Sequence, residues 1–109
     1  MSETEFLDLV DQTLDTIEAA MDRFNDDDVL DVECKRSGNV LEIEFLDNGS
    51  KIIVNSQAPL QEMWVAARSG GYHYKRVGGE WRNTRDESEF YASLSKMASE
   101  QGGAAISIA

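Results

Sequence analysis

One proline, one cysteine and one histidine stand among the 109 residues of this chain, and each scarcity closes off a class of protein. A lone Cys34 forms no intramolecular disulfide, and with only His73 beside it in the inventory it cannot complete a Cys/His zinc site. Eight glycines and a single proline exclude collagen-like and proline-rich low-complexity chains. Long apolar runs are missing too. The longest stretch is of the kind Met63-Trp64-Val65-Ala66-Ala67, against the roughly 20 residues a membrane-spanning helix needs.

Bases are also scarce, at 10 Lys and Arg against 21 Asp and Glu, a net charge of −11. The excess is local: residues 1–33 hold 12 acids and one base, Arg23, whereas residues 34–109 hold 9 of each. Such a surface opposes nucleic acid and anionic membranes, which are bound by neutralising phosphate, and favours cations or a basic protein. Acids begin at Glu3, where a targeting segment would carry bases, so a cytoplasmic protein is expected. Catalytic signatures are absent as well. There is no G-x-S-x-G elbow, P-loop or dinucleotide fingerprint, and nothing in the sequence argues for an enzyme.

What is present is the composition of one globular domain over residues 1–109, 41% hydrophobic and 28% charged. From Glu3 to Phe24 the residues Phe6, Leu9, Val10, Thr13, Ile17, Ala20, Met21 and Phe24 recur at helical spacing, and Asn25-Asp26-Asp27-Asp28 ends the run. Period-two alternation follows. Leu30, Val32 and Cys34 face one way and Asp31, Glu33 and Lys35 the other, then Leu41, Ile43 and Phe45 oppose Val40, Glu42 and Glu44. Turn chemistry at Ser37-Gly38-Asn39 and Asp47-Asn48-Gly49 separates antiparallel neighbours. Strands are predicted at Lys51–Asn55, Leu60–Ala67 with Pro59 at its entrance, Tyr72–Val77 between Gly70-Gly71 and Gly78-Gly79, and Glu80–Arg82. Asp86-Glu87-Ser88-Glu89 reads as a capping box ahead of Phe90, Leu94, Met97 and Ala98, a helix ending at Gly102-Gly103. The order predicts an α+β two-layer sandwich: an antiparallel sheet with the N- and C-terminal helices packed on one face and the other face open.

Opposite the apolar stripe, Asp8, Asp11, Asp15, Glu18 and Asp22 fall on one line of the first helix, about 21 Å long. No base is interleaved. Like charges at i,i+3 and i,i+4 cost roughly 0.2–0.5 kcal/mol each, and Glu18 and Asp22 also approach the negative end of the helix dipole. Asp26, Asp27, Asp28, Asp31 and Glu33 extend the negative surface into the loop and first strand. An ordinary solvated face is the bland alternative, but such a face usually mixes signs. Carboxylates without His or Cys suit hard cations such as Ca²⁺, Mg²⁺, Mn²⁺ or iron, held weakly with several waters retained. The EF-hand glycine and terminal bidentate Glu are missing. His73, between Tyr72 and Tyr74, reads as a structural or surface residue, Cys34 as a small buried one, and Trp81 as core. Alternation places Trp64 outward beside Glu62 if Met63 faces the helices, which makes it a candidate binding hot spot.

The stretch Asn48-Gly49-Ser50-Lys51-Ile52-Ile53-Val54-Asn55, then Gln57, Pro59, Trp64, Gly70-Gly71-Tyr72-His73-Tyr74 and Trp81, together with the acidic first helix, resembles the frataxin family in its short bacterial CyaY-type form. The resemblance implies a non-enzymatic protein that binds iron weakly, as Fe²⁺ or Fe³⁺, and regulates iron–sulfur cluster assembly by docking on a cysteine desulfurase and its scaffold protein. The family's acidic ridge maps onto Glu18, Asp22, Asp26, Asp27, Asp28, Asp31 and Glu33, serving both iron and a basic desulfurase surface. Its partner-binding sheet residues correspond to Asn55, Gln57 and Trp64. Ser56 stands where relatives often carry a base, and Ala58 where bacterial relatives often carry an acid. Two other readings are an iron storage and detoxification protein with ferroxidase activity, for which no Glu plus Glu-x-x-His set is present, and a general acidic ion buffer. A monomer is expected, with oligomers under iron load left open.

Overall fold

A computed structural model describes residues 1–109. Helix α1 spans Glu3–Asp26, and its start is fixed by a capping box in which Ser2 Oγ accepts from the Glu5 amide while Glu5 Oε1 accepts from the Ser2 amide. It buries Phe6, Val10, Thr13, Leu14, Ile17, Ala20 and Met21, while Leu9 and Phe24 sit at the half-buried margins of the stripe. Leu14, absent from the sequence-derived stripe, belongs to its centre. The helix ends where Asp28 takes φ +58°, a left-handed conformation open to Asp and Asn, and the amides of Val29 and Leu30 turn back to the Phe24 carbonyl.

Six strands follow, β1 Val32–Ser37, β2 Val40–Phe45, β3 Ser50–Gln57, β4 Glu62–Ala67, β5 Gly70–Val77 and β6 Glu80–Asn83, then helix α2 Phe90–Gly102. They form one antiparallel meander in the order β1-β2-β3-β4-β5-β6. Leu41, Ile43 and Phe45 of β2, Ile52 and Val54 of β3, Met63 and Val65 of β4, Tyr74 of β5 and Trp81 of β6 are all buried with the apolar faces of both helices in one core. Each such fully buried side chain contributes roughly 1.5–3 kcal/mol of transfer free energy. The predicted α+β sandwich with one open sheet face is the observed architecture.

Three local expectations are corrected. Ala58-Pro59-Leu60 forms a 3₁₀ turn closed by Gln61 at φ +51°, so Leu60 is no strand residue and β4 begins at Glu62. The β4–β5 turn is Arg68-Ser69, with Gly70 and Gly71 already paired to Ala67 and Ala66 inside the ladder. At α2 the cap is Glu89, whose carboxylate accepts from the Tyr91 and Ala92 amides, while Asp86 closes its own turn onto Ser88.

Side-chain bonds lock the layers. Trp81 Nε1 donates to Thr13 Oγ1 of α1 at 3.0 Å, and the Phe6 ring meets the Trp81 ring edge-on. Buried Gln101 joins α2 to the sheet, its Oε1 accepting from the Arg68 amide and its Nε2 donating to Ser50 Oγ. After Gly103 the tail folds back, and the amides of Ile106 and Ile108 donate to Ser99 Oγ and Ser95 Oγ.

Candidate functional site: an acidic ridge beside an open sheet face

Helical spacing puts Asp8, Asp11, Asp15, Glu18 and Asp22 on the solvent side of α1, and all but half-buried Glu18 are exposed. The line is not free of bases, contrary to the sequence reading. Val32, Cys34 and Arg36 share the helix-facing side of the edge strand β1, and Arg36 reaches Asp11 through Nη2 at 3.0 Å, Glu18 through Nη1 at 3.0 Å, and Asp15 through Nη1. Its hydrogen bond to Asp15 is the largest cause of a guanidinium pKa raised above its ordinary value. One base from another element thus pairs with three of the line's five carboxylates, Asp11, Asp15 and Glu18.

Past Glu18 the carboxylates are unpaired: Asp22, Asp26, Asp27, Asp28, Asp31 and Glu33 make none of the molecule's salt bridges. All six are exposed. The loop that carries four of them is tied to the sheet, because Asn25 Oδ1 accepts from the Val32 amide and the Asp31 carbonyl accepts from Leu46. Asp28 and Asp31 line a shallow cavity of about 340 Å³ with Asn25 and with Asp47 from the β2–β3 turn. Asp47 was not among the sequence-derived candidates. It lies 16 residues beyond Asp31, and only the β1–β2 pairing brings it alongside. Glu33 lies elsewhere, on the open face of β1 with Glu44 as its cross-strand partner.

Cys34, half-buried behind the ridge, has its thiol pKa pushed up to about 12, mainly by burial and then by the charges of Asp22 and Glu18. It is no nucleophile at neutral pH.

No three His, Cys, Asp or Glu side chains converge on a point where they would hold one metal ion. The seven ridge candidates present a surface of hard oxygen donors. Such a donor set fits a hydrated cation held by one or two carboxylates with its waters retained.

The open face carries the second group. Antiparallel register sets Asn55, Trp64 and His73 in one rung across β3, β4 and β5, and Gln57, Glu62 and Lys75 in the next. Asn55, Gln57 and Trp64 are thus brought together, and Gln57 Nε2 donates to Asn55 Oδ1 at 3.2 Å. Trp64 is half-buried, as outward alternation predicted, whereas Trp81 is 1% exposed in the core. Glu62 accepts from Trp64 Nε1 at 2.8 Å, and the His73 ring lies flat on the indole with centroids 4.2 Å apart and planes 6° from parallel.

A family model described as the frataxin-like domain matches residues 1–104. The chain is 64% identical over 103 residues to the iron-sulfur cluster assembly protein CyaY of Janthinobacterium sp. (strain Marseille), covering 94% of this chain and 92% of that one. It is 60% identical over 106 residues to the protein of the same name from Herminiimonas arsenicoxydans, covering 97% and 95%. Among solved structures it is similar to frataxin from Psychromonas ingrahamii, with TM-score 0.89, 31% identity and coverage of 100% and 99%. The fold also resembles trimeric frataxin from the yeast Saccharomyces cerevisiae, a structure complexed with ferrous iron, with TM-score 0.72, 21% identity and coverage of 86% and 85%.

Proposed function

Because the chain belongs to the frataxin-like family, we propose that it is a non-enzymatic adaptor of iron–sulfur cluster assembly that binds iron weakly and docks on a cysteine desulfurase and its scaffold protein. The observation that carries this reading is the unpaired half of the ridge. Six exposed carboxylates from Asp22 to Glu33 have no basic partner within the molecule. They remain free for Fe²⁺ or Fe³⁺ as cargo and for Lys and Arg of a basic protein surface.

In this reading the ridge meets the desulfurase while the Asn55, Gln57 and Trp64 cluster meets the scaffold. The two surfaces adjoin through β1 and β2, so one small monomer can touch both proteins at once. The names of the Janthinobacterium and Herminiimonas relatives support a role in cluster assembly. A ferroxidase would need a fixed multi-ligand metal centre, and the dispersed carboxylates favour transient binding over it. No helix is long and apolar enough to cross a membrane, and we place the adaptor in the cytoplasm with its partners.

The test is the rate of cluster assembly by a cysteine desulfurase and its scaffold, with and without this protein, over a range of Fe²⁺ concentrations. An iron-dependent change in the rate is expected. An unchanged rate at every iron level, with the protein folded, overturns the adaptor reading in favour of a general acidic ion buffer.

A further inference from the structure

Glu62 is 8% exposed, although it stands on the open side of the sheet. A carboxylate so placed needs partners, and three surround it. Its Oε1 accepts from Trp64 Nε1 at 2.8 Å and lies 3.7 Å from His73 Nδ1, while its Oε2 lies 3.8 Å from Lys75 Nζ. The imidazole covers one face of the same indole. Trp64 is therefore restrained in two perpendicular directions, along the ring plane by the Glu62 bond and across it by His73.

We infer that Glu62 and His73 are positioning residues that clamp the Trp64 indole in one orientation. His73 holds one side of the indole, leaving the side toward Asn55 for a partner. A preorganised aromatic anchor binds with less entropy to lose.

The clamp is a property of this chain alone, while its consequence for docking rests on the adaptor reading. Because His73 is the only histidine, a single imidazole Cε1–H resonance reports it. In the free protein that resonance is expected upfield of a solvated histidine, moved by the Trp64 ring current. Trp64→Leu should remove the upfield displacement. Glu62→Ala, which removes the acceptor of Trp64 Nε1, should reduce the displacement of the His73 resonance, while Glu62→Gln, which keeps an accepting oxygen, should preserve it. An unshifted resonance, or one indifferent to Glu62→Ala, overturns the clamp. Hydrogen exchange at the indole N–H gives a check without the Glu62 variants. His73→Ala should uncover the indole and speed exchange at Trp64 Nε1 while buried Trp81 stays protected. Unchanged exchange at Trp64 in His73→Ala overturns the proposal. Loss of scaffold docking with the ring-current displacement intact would count against the adaptor and leave the clamp standing.

Discussion

Arg36 Nη2 lies 3.0 Å from Asp11 Oδ1, joining residues 25 positions apart on the edge strand and the first helix. The same guanidinium also holds Asp15 and Glu18, so it is the counter-ion of a carboxylate line whose repulsion weakens α1. Arg36→Gln should destabilise the fold by about 1–2 kcal/mol at low ionic strength, because three carboxylates lose their shared partner. Urea denaturation at about 0.01 M and about 1 M salt checks this, since screening should shrink the difference at the higher concentration.

Asp22 and Asp26 lie in the last turns of α1, where the dipole already disfavours negative charge. Replacing Asp22, Asp26 and Asp31 together by Lys should therefore raise stability, by about 0.3–1 kcal/mol for each of the two helical positions. The same variant should lose desulfurase binding, because it reverses the unpaired half of the ridge. Thermal melting and an affinity titration on one preparation separate the two effects. Stabilisation with unchanged affinity would mean that the ridge is not the docking surface.

The periodic parts of the structure were legible in the sequence because burial enforces the period. Phe6, Val10, Ile17 and Met21 had to line one side of α1, and Ile43 and Phe45 one side of β2. Register was less legible. Strands ending at Ala67 and starting at Tyr72 would set Trp64 opposite Lys75, whereas the observed Arg68-Ser69 turn sets it opposite His73. The glycines misled because they are turn formers by composition, yet here they pair within β5, where Gly70 takes φ +146°. Pro59 misled in the same way, since an apolar Ala-Pro-Leu run resembles a strand entrance until Gln61 turns left-handed. Arg36 within the acidic line could not be foreseen from helical spacing, which contains no information about what the neighbouring strand contributes. Glu33 carried its own signal, because alternation against Val32 and Cys34 already sent it to the opposite face from the helix acids.

The two tryptophans should respond differently to truncation. Trp81 fills the core and donates to Thr13, so Trp81→Ala should cost about 3–5 kcal/mol. Trp64 is half-buried and loses a ring stack and one hydrogen bond, so Trp64→Ala should cost only about 1 kcal/mol while weakening the scaffold complex. Urea denaturation of both variants measures the first difference. A loss at Trp64 as large as that at Trp81 would make the open-face indole a core element.

Cys34 gives the fold an alkaline limit. Its thiol is raised from 9.0 to about 12, chiefly by burial and further by Asp22 and Glu18, so the folded state binds this proton more tightly than the unfolded chain. The stability this contributes is fully present below pH 9.0 and is lost as pH rises toward about 12. Tyr74, whose buried hydroxyl is also shifted upward from 10.0 by desolvation, adds to the same loss at higher pH. Unfolding free energy should therefore fall over this alkaline range, and Cys34→Ala should make the fall shallower. At pH 8 the thiolate fraction should be about a thousandfold below that of an ordinary thiol, so a disulfide reagent should label Cys34 only as fast as the protein opens. Labelling of the native protein at the rate of a free thiol would mean that the side chain is neither desolvated nor under the influence of the ridge.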